Sequence, residues 1–260
     1  MSKNTKINTS RAYIDSALRK FKLLDIREQY EEVIEYATEN KLSYREFLSK
    51  LLELETQGKL ERLKERNIKN ARFERIKTIE SFNFNAEVNI DEMKVRDLFN
   101  TNYMDKKENI IFIGPPGVGK SHLATALGVR ACEFGYKVLF ITAKDLIDNL
   151  YKDYEKGNLK KSFSKLKKID LLIIDELGHF TMDKEKESIF FQLIRHRYEK
   201  NSLIITTNIP LGDWSQIFSS ELAATAILDR LLHHCHIISI TGDSYRVKEF
   251  LMRGENCVQQ

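Results

Sequence analysis

The chain has 260 residues, of which 42% are hydrophobic and 31% charged, with a formal net charge of +4. That balance supports one large domain or about two and excludes a disordered chain. No apolar run approaches the ~20 residues of a membrane-spanning helix, the polar start lacks a secretory leader's apolar stretch, and three widely spaced cysteines suit a reduced, cytoplasmic protein.

In chain order the first elements expected are helices. Residues 11–20 space Ile14, Ala17, Leu18 and Phe21 at helical intervals, and residues 23–38 repeat the pattern with Ile26, Tyr30, Val33, Ile34 and Ala37. Ser43 and Glu46 form a capping box opening a third helix, whose apolar face includes Phe47, Leu48, Leu51, Leu52 and Leu54. Between Lys59 and Lys77 eight basic residues meet three glutamates. Spacings of three and four group several of them, including Arg62, Arg66, Lys69 and Arg72, along one helical side, a stripe that could bind a DNA backbone without reading bases. A solvated helix face is the alternative. Composition changes near Ser81, and Phe82-Asn83-Phe84-Asn85 reads as a linker. The expected division is an N-terminal all-α domain over 1–80 and a second domain over 81–260.

The second domain alternates strands, expected over 109–113, 137–142, 169–175, 202–207 and 236–240, with helices between most of them. This is the pattern of an α/β fold, a parallel sheet flanked by helices. After the first strand stands Gly114-Pro115-Pro116-Gly117-Val118-Gly119-Lys120-Ser121, which fits G-x-x-x-x-G-K-[ST] at every fixed position. The glycines let backbone N–H groups turn inward on a phosphate chain, Lys120 reaches the β- and γ-phosphates, and the Ser121 hydroxyl binds Mg²⁺. The stretch from Gly114 to His122 is the candidate nucleotide-binding set. Leu171 to Ile174 run apolar into Asp175 and Glu176. At the ligand end of a parallel strand, Asp175 is placed to hold Mg²⁺ and Glu176 to polarise an attacking water. An acidic base and the lack of an Asn-Lys-x-Asp motif favour ATP over GTP. Asn208, after another apolar strand, is placed to hydrogen-bond that water or the γ-phosphate, or else ends the strand in a turn before Pro210. Taken alone, Arg230 and Arg246 read as surface residues. His233-His234-Cys235-His236 looks metal-like, but adjacent residues surround one ion poorly and no matching second cluster exists, so packing between helix and strand is the better reading.

Gly114 to Ser121, Leu172 to Glu176 with Gly178, Thr206-Thr207-Asn208, Ile227 to Leu231 and Ser244-Tyr245-Arg246 occur in the order found in AAA+ ATPases of the DnaC/IstB clade. Leu231-Leu232-His233-His234, the leucines around Leu48 and Leu52, Ala71-Arg72-Phe73 and Lys77 to Phe82 resemble more narrowly the IstB-like proteins, helpers of insertion-sequence transposition. The resemblance runs from about Leu18 to Arg246; Glu74 departs from it, where that family often has proline. It implies an AAA+ P-loop NTPase core using ATP and Mg²⁺. It also implies Asn208 as first sensor, Arg230 as an arginine finger reaching a neighbouring subunit's γ-phosphate, and Arg246 as second sensor. Homo-oligomers with ATP-bridged interfaces, binding to double-stranded DNA and an IstA-like transposase partner follow from it too. So does a DNA-facing helical insertion, which makes Lys160 and Lys161 candidates. A DnaC-like loader of the replicative helicase is the nearest alternative. A non-hydrolysing nucleotide-binding scaffold is another, against which the intact Glu176 speaks.

Overall fold

The computed structural model describes residues 10–84 and 88–244. Arg246 lies outside them, so the short last helix that the sequence places from Ser244-Tyr245-Arg246 onward falls beyond the last described residue, Ser244. The chain divides into two compact units, residues 1–64 and 65–260.

The first unit contains helices α1 (Arg11–Lys20), α2 (Leu24–Glu39) and the first part of α3 (Tyr44–Ala71). Its core face on α2 is Ile26, Tyr30 and Val33, one helical side at spacings of four and three. The capping box forms as written. Ser43 donates through its backbone N–H (2.7 Å) and hydroxyl (2.6 Å) to the Glu46 carboxylate, while the Glu46 N–H donates back to the Ser43 hydroxyl at 3.3 Å. Those bonds hold the Glu46 carboxyl below its usual range.

The division falls inside α3, whereas composition places it near Ser81. The reason is packing. Asn67 is buried and donates to the carbonyls of Gly135 and Tyr136 at 3.0 and 3.1 Å. Ala71 is fully buried. Past a left-handed turn at Arg72, Phe73 packs edge-on to Phe140, with ring centroids 6.1 Å apart. Phe82 and Phe84, expected as linker, are partly buried against the same core and lie 4.8 Å from each other. Residues 65–84 are therefore a strap belonging to the second unit.

Beyond the strap come β1 (Val88–Asn89), α4 (Glu92–Leu98), α5 (Asn102–Lys106), β2 (Asn109–Ile113), α6 (Lys120–Glu133), β3 (Val138–Thr142), α7 (Ala143–Glu155) and α8 (Leu159–Leu166). Next are β4 (Leu171–Leu177), α9 (Lys184–Arg197), β5 (Ser202–Thr207), a 3₁₀ turn over Leu211–Gln216, α10 (Glu221–Leu232), β6 (Cys235–Ser239) and β7 (Thr241–Gly242). Five strands form one sheet in the order β3-β4-β5-β2-β6, every pair parallel. A sheet covered on both faces calls for unbroken apolar strands. β4 obeys, with Leu171, Leu172, Ile173 and Ile174 fully buried, each contributing about 1.5–3 kcal/mol. One core cluster gathers α7, α9 and α10 on one face, and another gathers α4, α5 and α6 on the other. β1 and β7 pair antiparallel in a small separate ribbon.

The order has one consequence for function. β5 lies between β2, which leads into Gly114, and β4, which carries Asp175 and Glu176. The tip of β5 therefore stands between the glycine loop and the acidic pair. β4 also runs two residues further than the apolar pattern alone indicates, because its pairing with β5 slips between Ile174 and Leu177. The irregularity takes Glu176 to φ 59°, left-handed for a residue with a side chain.

Candidate nucleotide site

β2, buried through Ile110, Ile111 and Phe112, delivers the chain to Gly114. A Cβ there would collide with the Ile240 carbonyl oxygen, so only glycine fits. Gly119, at φ 100°, is the N-cap of α6 and makes no side-chain cap. The first-turn N–H groups of this 14-residue helix are therefore not satisfied by a capping side chain, and its positive end faces the loop. Such a helix start suits a phosphate. The Lys120 ammonium folds over the loop, donating to the Gly114 and Pro115 carbonyls at 2.7 Å each.

Across the loop stands the acidic pair. Asp175 is only 7% exposed, and a buried carboxylate needs donors. Ser121 Oγ donates to its Oδ1 at 2.8 Å and Thr206 Oγ1 at 2.5 Å. The Thr206 hydroxyl in turn accepts from the Glu176 N–H at 2.9 Å. One threonine on β5 thus holds both acidic residues, Asp175 by its side chain and Glu176 by its backbone. Thr206 was legible in the sequence only as the strand residue two before Asn208. Glu176 is exposed and lines a cavity of about 190 Å³ with Thr142, Lys144, Asp145, His179 and Phe180.

Asn208 bears on the alternative reading of a plain strand-ending turn. The turn is closed by Thr207, whose hydroxyl accepts from the Ile209 N–H at 3.1 Å. The Asn208 Oδ1 atom is buried and has no hydrogen-bond partner among the described residues. An orphaned buried acceptor suits a ligand donor such as water. Uncapped helix start, oxygen donors on Ser121 and Asp175 and this orphaned acceptor together fit a Mg²⁺–nucleotide.

The side chain of His122, a residue expected in the nucleotide set, turns to the strap, while its backbone N–H stays in the first turn of α6. Its Nε2 lies 2.9 Å from the Thr78 carbonyl and 3.1 Å from Ser81 Oγ, and its ring meets Phe82 edge-on at 5.3 Å. Burial holds the imidazole below its usual pKa, against the pull of the Thr78 carbonyl.

Arg230 sits near the end of α10, its Nη1 donating to the Ala226 carbonyl at 2.7 Å and its guanidinium 4.8 Å from the Phe191 ring centre. The next residue, Leu231, accepts through its carbonyl from Asn109 Nδ2 at 3.0 Å. Asn109 starts β2, whereas the loop leaves its far end, about 13 Å away across five strand residues. Arg230 and the loop of its own chain therefore stand at opposite ends of the sheet.

Among the expected DNA-binding residues, Arg62 is engaged: it pairs with Asp25 at 2.7 Å and Glu55 at 3.5 Å within the first unit. Arg66, Lys69 and Arg72 are exposed, as are Lys160 and Lys161 on α8, whose Ser162 and Phe163 face inward. In the histidine run, His236 Nε2 lies 2.8 Å from Glu108, and burial pushes the Cys235 thiol up to about 12.

The sequence profile of the family described as IstB-like ATP binding protein matches residues 16–252. An ATP-binding protein of insertion sequence IS21 from Pseudomonas aeruginosa is 41% identical over 236 residues, covering 91% of this chain and 89% of its own. The chain belongs to the IstB-like ATP-binding protein family. A second such relative, from insertion sequence IS5376 of Geobacillus stearothermophilus, is 41% identical over 228 residues, covering 88% of this chain and 91% of its own. The fold is shared with DnaI, whose crystal structure superposes with a TM-score of 0.54 at 18% identity, covering 64% of this chain and 91% of that one. Among the described residues of this IstB-like chain, no helix is long and apolar enough to cross a membrane.

Proposed function

We propose that this chain is an ATP-hydrolysing assembly factor that binds duplex DNA and assists the transposase of an insertion sequence. The relatives named for insertion sequences support the setting. The observation that carries the ATPase reading is the Ser121–Asp175–Thr206–Glu176 chain of hydrogen bonds. Ser121 and Asp175 would hold Mg²⁺, which when bound neutralises charge on the β- and γ-phosphate oxygens. Lys120 and the N–H groups at the start of α6 bind and orient the phosphates. Glu176 takes a proton from the attacking water, Asn208 fixes that water's position, and Thr206 fixes Glu176.

Arg230 acts on the next subunit. From the far end of the sheet it is poorly placed for its own loop, and a head-to-tail contact brings it to a neighbour's. ATP would then bridge subunits and favour assembly on DNA, and hydrolysis would loosen it. DNA contact falls to the exposed Arg66, Lys69, Arg72, Lys160 and Lys161, with the N-terminal helices serving DNA or partner binding.

The test is binding of the full chain to duplex DNA with ATP, with ADP and without nucleotide, followed by capture of an insertion-sequence transposase offered beside a replicative helicase. Assembly on DNA with ATP, lost with ADP, and recruitment of the transposase are expected. Equal binding in all three states, or capture of a replicative helicase instead, would overturn the proposal.

A further inference from the structure

The turn after α9 and the end of α10 bring together three side chains that the ATPase reading does not use. Glu199 Oε1 lies 3.8 Å from His233 Nδ1 and 3.7 Å from His234 Nε2, and all three ligand atoms fall within 4.8 Å of one another. We infer that Glu199, His233 and His234 form a divalent transition-metal site on the surface of the ATPase unit.

The distances carry the argument. Hydrogen bonds between these groups would need 2.7–3.2 Å, and Glu199 stands further off than that from both rings. Zinc bonds of 2.0–2.2 Å at a tetrahedral angle set donors about 3.3 Å apart. The two gaps to Glu199 exceed that by roughly half an ångström and the spread of all three atoms, within 4.8 Å, by up to about 1.5 Å, which rotations of exposed side chains close. Adjacent histidines surround one ion poorly when they offer the same nitrogen. Here the nitrogens nearest Glu199 differ, Nδ1 from His233 and Nε2 from His234. Tyr198 holds the first ring, its hydroxyl 2.8 Å from His233 Nδ1, which turns that nitrogen toward the cluster. A metal would take the lone pair of the Nδ1-unprotonated ring in place of the hydroxyl contact.

The donor set decides the ion. Two imidazoles and a carboxylate suit Zn²⁺, Co²⁺, Ni²⁺ or Cu²⁺, whereas Mg²⁺ prefers the oxygens of Ser121 and Asp175. The neighbouring candidates do not join. His236 is paired with Glu108, and the raised Cys235 thiol resists becoming a thiolate. Three protein ligands leave a coordination position open to water. Because Glu199 follows α9 and the histidines end α10, bound metal would staple two helix ends together.

The test uses the full chain, free of any tag and stripped with chelator, in saturating Mg²⁺ without nucleotide. It is titrated with Co²⁺, whose visible absorption reports tetrahedral nitrogen and oxygen ligands, and then with Zn²⁺. One Co²⁺ per chain, displaced by Zn²⁺, is expected, with Zn²⁺ raising the melting temperature. His234→Ala and Glu199→Ala should each weaken binding by more than about 100-fold and abolish the Zn²⁺ shift, while Asp175→Asn leaves both unchanged. All three ligands are exposed, and circular dichroism checks that the variants fold. No absorption at equimolar Co²⁺, or equal affinity in His234→Ala and the parent chain, would overturn the inference.

Discussion

Thr206 is the residue on which the acidic pair depends. Its hydroxyl donates to Asp175 and accepts from the Glu176 N–H. Thr206→Val keeps the shape but leaves a buried carboxylate short of a donor, a loss of about 1–3 kcal/mol, and frees Glu176 from its register. We expect Thr206→Val to bind ATP and lose most turnover, with Thr206→Ser restoring it. Glu176→Gln should also bind ATP and lose about 100-fold or more in turnover, whereas Lys120→Ala should lose binding itself. Nucleotide affinity and steady-state hydrolysis measured side by side separate these outcomes, and unchanged turnover in Glu176→Gln would remove it from its role. The motif residues were legible because the phosphate loop and the apolar run into Asp175 are local patterns. Thr206's clamp was not, since nothing in a strand sequence says which hydroxyl meets a carboxylate on the neighbouring strand. Arg62 failed to be legible for the same reason: its partner Asp25 lies 37 positions away.

At the scale of elements, the strap and the basic stripe each make a prediction. His122 is held neutral by burial, so its folded pKa lies below the ordinary 6.5. A base with a depressed folded pKa contributes stability that is full above 6.5 and lost as pH falls through the folded value, because the unfolded chain binds the proton more readily. Melting temperature should therefore drop more steeply below pH 6.5 in the parent chain than in His122→Asn. Parallel profiles would show that the strap does not hold this ring. For the stripe, Arg62 is already neutralised by Asp25, so the DNA test moves to Arg66, Lys69 and Arg72. Replacing these three by Glu should weaken binding to all duplexes alike and reduce the salt slope by about one for each lost phosphate contact. An unchanged slope over a salt series would make this a solvated face. The expected bounds of β2 and β5 match the structure because polar residues frame both apolar runs. β4 ran further than expected because a bulge is a property of the pairing, not of one strand. Phe82 and Phe84 looked like linker because the core they join is built from α6, far along the chain.

At the scale of the whole molecule, the parallel α/β sheet follows from alternating apolar runs, and the helical N-terminal region follows from its periodicity. The division inside α3 does not, since it depends on Asn67 and Ala71 finding partners around Gly135 and the sheet. The central claim is that the active unit is a pair of subunits, with the loop from one and Arg230 from the next. Arg230→Ala and Lys120→Ala should each be inactive alone, the first still binding ATP. The deciding measurement is ATP turnover on duplex DNA by an equal mixture of the two variants. A mixed interface joins an intact loop to an intact Arg230, so the mixture should recover a substantial part of the activity that neither variant has. No recovery, with both variants folded and co-assembled on the DNA, would contradict the account and place Arg230 outside the neighbouring subunit's site.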